Sequence, residues 1–526
     1  MDLPLEILPL ILEQLEWRTR DLHACCLVSQ TWNICATPRL YSRLFLRDQK
    51  RLIKVVDTLE RCNHLAKLVR VLEIRAYPFG LKAEDLERLE ASLVASLVQA
   101  TNLRQLYWTR TGSLTDRILP FLPILPSLET LELTGSSHYY SPANITKHLV
   151  SPMKTPNLRH FCILLPDRQV CDELPRWAKE MGSKLSSFSV YCQHSAILTD
   201  STLREMSQYL TGIKRLSIAG AKRVTADGVL ALLQSGNITE LAIEGLAVHP
   251  ASFSLFKPLL QDLQSLSLTY PKQTLCSPQD FWQHLASFVE GLPRLSELTH
   301  YRSSWMTSRV GEADMMDEDF DGDAEGLQQE YDHDQHSTDQ TPQEYRRQEL
   351  EYHASSGKPI IRDPRLSTLF LKRLIMARGL QLTKLRIHGI VSTMEQVRLV
   401  CEGCPNLQDV VLQLFEDEKA ILETSFSKLS SLDSLHILSP IYSAANLNEH
   451  DLGQIAKSCS TTLRQIGFRN RVWLVDRQTA AIPSSESMKE EVSEQQHLLP
   501  DGRKIVLKRW DMSAGIFPEV LIVVRA

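Results

Sequence analysis

Two short runs in this 526-residue chain have spacings that metal chemistry uses. Asp317, Asp319, Asp321 and Gly322 match the opening of a calcium loop, where alternate carboxylates converge on a hard cation and glycine permits the sharp turn. The twelfth position of such a loop should be a bidentate glutamate; here it is Gln328, and no amphipathic helices flank the run. Cys401-Glu-Gly-Cys404 has the CxxC spacing of zinc and redox sites, but no second CxxC or histidine pair completes a tetrahedral set. Cys25 and Cys26, adjacent on a helix, would point about 100° apart, which suits packing better than chemistry. No Gly-rich phosphate loop, HExxH, G-x-S-x-G or paired carboxylates occur. The expectation is a chain without catalytic residues, metal or cofactor. His138-Tyr139-Tyr140 sits on a loop after a strand, as a contact patch or as packing.

What remains is binding, and the composition frames it. Hydrophobic residues are 43% and charged residues 23% of the chain, which excludes a wholly disordered or collagen-like protein. The net charge of −5 conceals an asymmetry. Thirteen Asp or Glu and no Lys or Arg lie between Gly311 and Tyr345, which leaves the other residues at about +8. Residues 309–360 hold too few aliphatics to offset the entropy of ordering and are expected to be a disordered acidic insertion. Its role is open between a tether, a lure for a basic partner and a solvated loop. No stretch approaches ~18 consecutive apolar residues, so no membrane span is expected. The N-terminus lacks a basic n-region and a small-residue cleavage site. Eleven cysteines without a framework spacing then read as reduced thiols, placing the protein in cytoplasm, nucleus or both.

Residues 1–46 read as a helical unit. Pro4 suits a first helical turn, and Leu5, Leu8, Ile11, Leu12 and Leu15 recur at helical spacing. Pro9 should bend this first helix, a second is expected over Asp21–Ser29, and a third from Gln30 until Pro38 redirects the chain. Three short helices cannot bury Leu3, Ile7, Leu8, Ile11, Leu22, Leu27, Trp32, Leu40 and Tyr41 together. The opening Leu-Pro, the Glu-Ile-Leu, the Leu-Val-Ser ahead of Trp32 and the Pro-Arg-Leu-Tyr-Ser ending together resemble an F-box from end to end. That resemblance implies docking onto the Skp adaptor of cullin-based SCF ubiquitin ligases. Leu3, Pro4, Ile7, Leu8, Ile11, Leu27, Val28 and Trp32 would carry or support the contact. The other reading is a plain helical cap.

The pattern L-x-x-L-x-L, with apolar substitutions, begins at Val69, Leu103, Leu128, Leu158, Leu185, Ile213, Ile238, Leu263 and Leu295. It resumes at Leu382, Leu407, Leu432 and Leu463. Ile213, Ile238 and Leu263 are 25 apart, as are Leu382, Leu407 and Leu432, and the entries Thr-Asn-Leu103, Pro-Asn-Leu158 and Pro-Asn-Leu407 repeat too. This period and signature resemble leucine-rich repeats, units that bury their leucines only by stacking. Val224-Thr225 ahead of Gly228, and Leu198-Thr199-Asp200 ahead of Leu203, resemble the long-helix subtype found behind F-boxes, with Ala221 where that subtype has cysteine.

The expected fold is therefore α/β: a three-helix F-box, then a solenoid with parallel strands inside and helices outside. The array divides into 47–308 and 361–470 around the insertion. A small strand cap over 471–526 would use Asn470–Val475, Lys504–Leu507 and Glu519–Val524, with a polar loop at 478–500.

The fifth position of each motif and its neighbours should project from the concave sheet. Late in the array these are Lys384, Arg386, His388, Gln413, His436 and Arg469; earlier ones include Tyr107, Tyr191, Arg215 and Tyr301. Basic residues gathered there suit an acidic or phosphorylated target, the chain's own acidic stretch, or a solvated face. Few basic residues and no interleaved aromatics disfavour nucleic acid. By resemblance the leading function is a non-catalytic substrate receptor that holds the Skp adaptor, a cullin through it, and a target protein. The alternatives are a non-degradative F-box scaffold and a plain repeat protein.

Overall fold

A computed structural model describes residues 5–13, 15, 19–150, 157–271, 275–302, 364–440, 445–479, 497–498 and 503–509. The acidic insertion, the calcium-loop match, Leu3, Pro4, Ser484–Glu486 and the expected strand at Glu519–Val524 lie outside the described residues. Among the described residues no helix is long and apolar enough to cross a membrane. The chain divides into two compact units between Leu266 and Ser267.

The first unit opens with α1 (Leu8–Glu13), α2 (Thr19–Cys26) and α3 (Gln30–Ser42). Pro9 falls in the first turn of α1, where its missing N–H breaks no ladder bond, so the expected bend is not needed. Pro38 lies inside α3 instead of redirecting the chain. The carbonyl it leaves unbonded belongs to Ile34, which is 65% exposed and within reach of water. Ser29 caps α3 by accepting the Trp32 amide at 3.3 Å. Residues 43–46, assigned to the helical unit from sequence, form β1 (Arg43–Leu46) and already belong to the sheet.

β1 pairs in parallel with β2 (Val71–Ile74), and the ladder continues through β3 (Gln105–Trp108), β4 (Thr130–Thr134), β5 (His160–Leu164), β6 (Ser187–Thr199), β7 (Arg215–Arg223) and β8 (Glu240–Glu244). Each repeat strand starts two residues after the first apolar position of its motif, and that phase aims the leucines inward. In the repeat of β3, Leu103, Leu106 and Trp108 are all 0% exposed. Helices Ala83–Gln99, Arg168–Met181, Asp200–Ser207 and Ala226–Ser235 return the chain between strands.

The repeated entry has a physical cause. The amides of Asn102 and Asn157 donate to the carbonyls of Lys67 and Pro126 at 2.8 and 2.7 Å, tying each strand entry to the repeat before it. Asn406 does the same in the second unit, to the Leu380 carbonyl at 2.8 Å. The long-helix repeats add a second tie: Asp200 accepts from the Thr225 amide at 2.8 Å and its hydroxyl at 2.7 Å. Gly228 sits against that carboxylate, where a Cβ would approach Asp200 Oδ1 to 2.4 Å.

β9 (Ser265–Thr269) crosses the division between the units. In the second unit β10 (Glu297–Tyr301), β11 (Lys384–Ser392), β12 (Asp409–Leu414), β13 (Ser434–Leu438) and β14 (Gln465–Phe468) form another parallel ladder. Helices Pro278–Glu290, Thr368–Arg378, Met394–Gly403, Lys419–Phe426 and Glu449–Ser458 return between them. The ladder closes antiparallel: β15 (Arg471–Thr479) pairs β14 and β17 (Arg503–Arg509), and β16 (His497–Leu498) pairs β17. The change of direction covers the last repeat's edge, which a parallel stack would leave open.

Candidate interaction surfaces

The helical module has a small interior of Leu12, Leu22 and Ala36, all at most 1% exposed, with Leu15, Cys25, Cys26, Trp32, Cys35 and Leu40 packed against it. Arg39 donates to the Pro9 carbonyl at 2.8 Å and Asn33 to the Cys26 carbonyl at 2.9 Å, so α3 holds both other helices in place. With that interior filled, the remaining apolar side chains face out. Ile7 is 40%, Leu27 74% and Val28 65% exposed.

Of the residues expected at the adaptor face, Ile11 and Trp32 are half-buried. Leu8 is buried and belongs to the interior, so it can only support the face. Sequence reasoning missed Leu10 and Ile34, and gave Leu5 the helical spacing of the first helix; all three are exposed. Residues 5–7 form a turn ahead of α1, so helical spacing does not apply to Leu5.

The polar residues expected to offer a basic concave face in the second unit are not laid open. Arg386, His388, Gln413, His436 and Tyr301 are buried; Lys384, Arg469 and, in the first unit, Tyr191 are half-buried. Arg386 holds Asp409 through Nε at 3.1 Å and Nη2 at 2.5 Å, and Lys384 reaches Glu297 on the adjacent strand at 3.4 Å. Burial, with Arg386 and His436 nearby, lowers the His388 pKa to about 3. Burial lowers His436 to about 4 against the Arg469 carbonyl, which accepts from Nε2 at 2.6 Å. Both imidazoles are therefore neutral near pH 7. The positive charge read from sequence is compensated by Asp409 at Arg386 and by Glu297 at Lys384 and is absent from the two histidines, which leaves Arg469, its guanidinium donating to the Ala445 carbonyl at 3.0 Å; this corrects the expectation of a basic face. Those two acids escaped notice because they lie at the first position of neighbouring strands.

In the first unit burial pushes the Tyr191 phenol up, and its oxygen accepts from the Ser217 hydroxyl at 3.1 Å. Tyr107 donates to Gln105 at 3.2 Å, and Arg215 Nη2 lies 2.7 Å from His160 Nδ1.

The thiols behave as packing. All eleven cysteines are free. Cys401 and Cys404 are buried where a helix hands over to β12, and burial pushes Cys404 up to about 12. Among the described residues no group of three or more His, Cys, Asp or Glu could hold a metal.

Residues 1–47 match the F-box-like family. No curated protein matches the chain. Among solved structures, the yeast Rad7–Elc1 complex is similar at 14% identity and a TM-score of 0.45, over 84% of this chain and 94% of the other. The leucine-rich repeat-containing protein LegL7 from Legionella pneumophila is similar at 13% identity and a TM-score of 0.37, over 74% and 97%. The N-terminal residues are thus an F-box-like module, and behind it parallel strand ladders with helices returning between the strands make a solenoid-like arrangement of the leucine-rich-repeat kind.

Proposed function

We propose that the protein is the substrate-recognition subunit of an SCF-type ubiquitin ligase, in which the F-box-like module holds a Skp adaptor and the repeats hold a target protein. The observation that carries this reading is the exposure of Ile7, Leu27 and Val28, apolar side chains left in water by a module whose interior is already filled. Each such side chain yields about 1.5–3 kcal/mol on full burial, so a partner that covers them gains several kcal/mol. A cullin would join through the adaptor, and other subunits would transfer ubiquitin. The repeats would fix the target's position in the assembly. From the residues expected on the concave face, Lys384, Tyr191 and Arg469 keep some surface for a target.

The test is co-purification of the full chain and of a variant carrying Ile7→Ala, Leu27→Ala and Val28→Ala, with bound proteins identified by mass spectrometry. The expected result is an adaptor and a cullin with the unaltered chain and neither with the variant. Proteins retained by both are target candidates. A scaffold acting without degradation would keep the adaptor while no retained protein accumulates when the chain is deleted.

A further inference from the structure

The loops that leave β2, β3 and β4 bring exposed rings together at one edge of the first unit's sheet. After β2 the chain turns at Tyr77-Pro78-Phe79, with the Phe79 amide donating to the Tyr77 carbonyl at 3.0 Å. Tyr77 is 2% exposed and anchors Phe79, ring to ring at 5.2 Å, while Phe79 itself is 43% exposed. After β4, Tyr140 is buried and donates to the Thr134 carbonyl at 2.8 Å, which turns Tyr139 outward to 53% exposure with His138 edge-on at 4.5 Å.

Gly112, on the loop after β3, lies between these rings. Its φ is +77°, and a Cβ there would sit 3.1 Å from Tyr139 Cε2 and 3.6 Å from Phe79 Cζ. A side chain would separate the two rings; glycine lets them converge. Asp116 holds the frame, its amide donating to the Tyr139 carbonyl and its carboxylate accepting the Ser141 amide at 2.9 Å. Water gains little from rings held this way, and exposed aromatics fixed on a rigid frame are the usual anchors of protein contacts.

The exposed Arg110 guanidinium lies over the Phe79 ring, 5.4 Å from its centroid. Among the described residues it has no carboxylate partner, so its donor fork is available to an anion. We propose that Phe79, Tyr139 and Arg110 form a docking surface for an acidic peptide segment of a partner protein. The two rings take an apolar side chain and the guanidinium takes a neighbouring carboxylate. A nucleic-acid strand fits less well, because it calls for several cations along its phosphates. The surface goes beyond the ligase reading and does not rest on it.

The experiment pans a library of short random peptides against the full chain, with the enriched peptides measured by fluorescence anisotropy. Enrichment of Asp or Glu beside a large apolar residue is expected, with affinity falling about tenfold or more for Tyr139→Ala and for Arg110→Glu. Because Tyr139 and Arg110 are exposed, both variants should melt with the unaltered chain. Replacing the peptide acid by lysine should restore binding to Arg110→Glu, a readout that misfolding cannot produce. The proposal is overturned if no acidic peptide is enriched, or if enriched peptides bind both variants as tightly as the unaltered chain. It is equally overturned if labelled single-stranded RNA, and no peptide, binds in a Tyr139-dependent way.

Discussion

His436 and Arg469 are joined across the last parallel strand pair: the imidazole Nε2 donates to the Arg469 carbonyl at 2.6 Å. The contact needs Arg469 in the left-handed region, at φ 52°, and needs a glycine at 467, where a Cβ would approach His436 Nδ1 to 2.2 Å. Gly467→Ala is therefore expected to destabilise the second unit by about 1–3 kcal/mol, the cost of overpacking a filled interior. A denaturant titration checks this; an unchanged midpoint would count against the packing described.

The same burial sets a pH dependence. His300 and His436 are lowered to about 4 and His388 to about 3, each first by burial. Below about pH 6.5 the unfolded chain binds protons that the folded chain refuses, so the unfolded state gains and stability falls with pH. The contribution is complete above about 6.5 and is lost progressively towards 4. Thermal melts should show a falling midpoint from pH 7 to 5, and His300→Phe should flatten the slope.

In the helical module, exposed and buried leucines should separate cleanly. Leu12→Ala and Leu22→Ala remove fully packed side chains and should cost about 2–5 kcal/mol each. Leu27→Ala, at a residue 74% exposed, should shift stability by less than about 0.5 kcal/mol while weakening adaptor binding. Melting curves beside binding curves decide it.

The tie between the long-helix repeats is a fourth target. Asp200→Ala leaves the Thr225 amide and hydroxyl without their acceptor and should cost about 1–3 kcal/mol. Asp200→Asn, which keeps a carbonyl oxygen, should recover part of that loss. An unchanged midpoint for Asp200→Ala would mean that the hydrogen bonds contribute nothing.

Cys401 and Cys404 should resist alkylation in the folded chain, because burial excludes the reagent and burial disfavours the thiolate. The half-buried Cys35 and Cys62 should react first. Mass spectrometry after timed iodoacetamide treatment checks the order.

Much of the scaffold was legible because leucines spaced for strands can be satisfied only by stacking. The phase of Leu103, Leu382 and their counterparts carried straight through to strands starting two residues later. The helical module was legible for a related reason: its apolar side chains outnumber its interior. One local reading failed where position within the helix decided the outcome, at Pro38 on an exposed side. The concave residues failed for another cause. Sequence supplied Lys384 and Arg386 as charges, but their neutralisation depends on register, which sets Glu297 beside Lys384 and Asp409 diagonal to Arg386. The ring pair over Gly112 was equally out of reach, since three loops contribute to it and only the fold brings them together.

The most direct test of the central claim is titration of the purified full chain with a purified Skp adaptor, by calorimetry, beside the variant with Ile7, Leu27 and Val28 replaced by alanine. The account predicts saturable binding by the unaltered chain, at least about a hundredfold weaker binding by the variant, and matching melting curves for the two. Absence of binding by the unaltered chain, or equal affinity in both, would contradict it and leave the N-terminal module as a cap on the repeats.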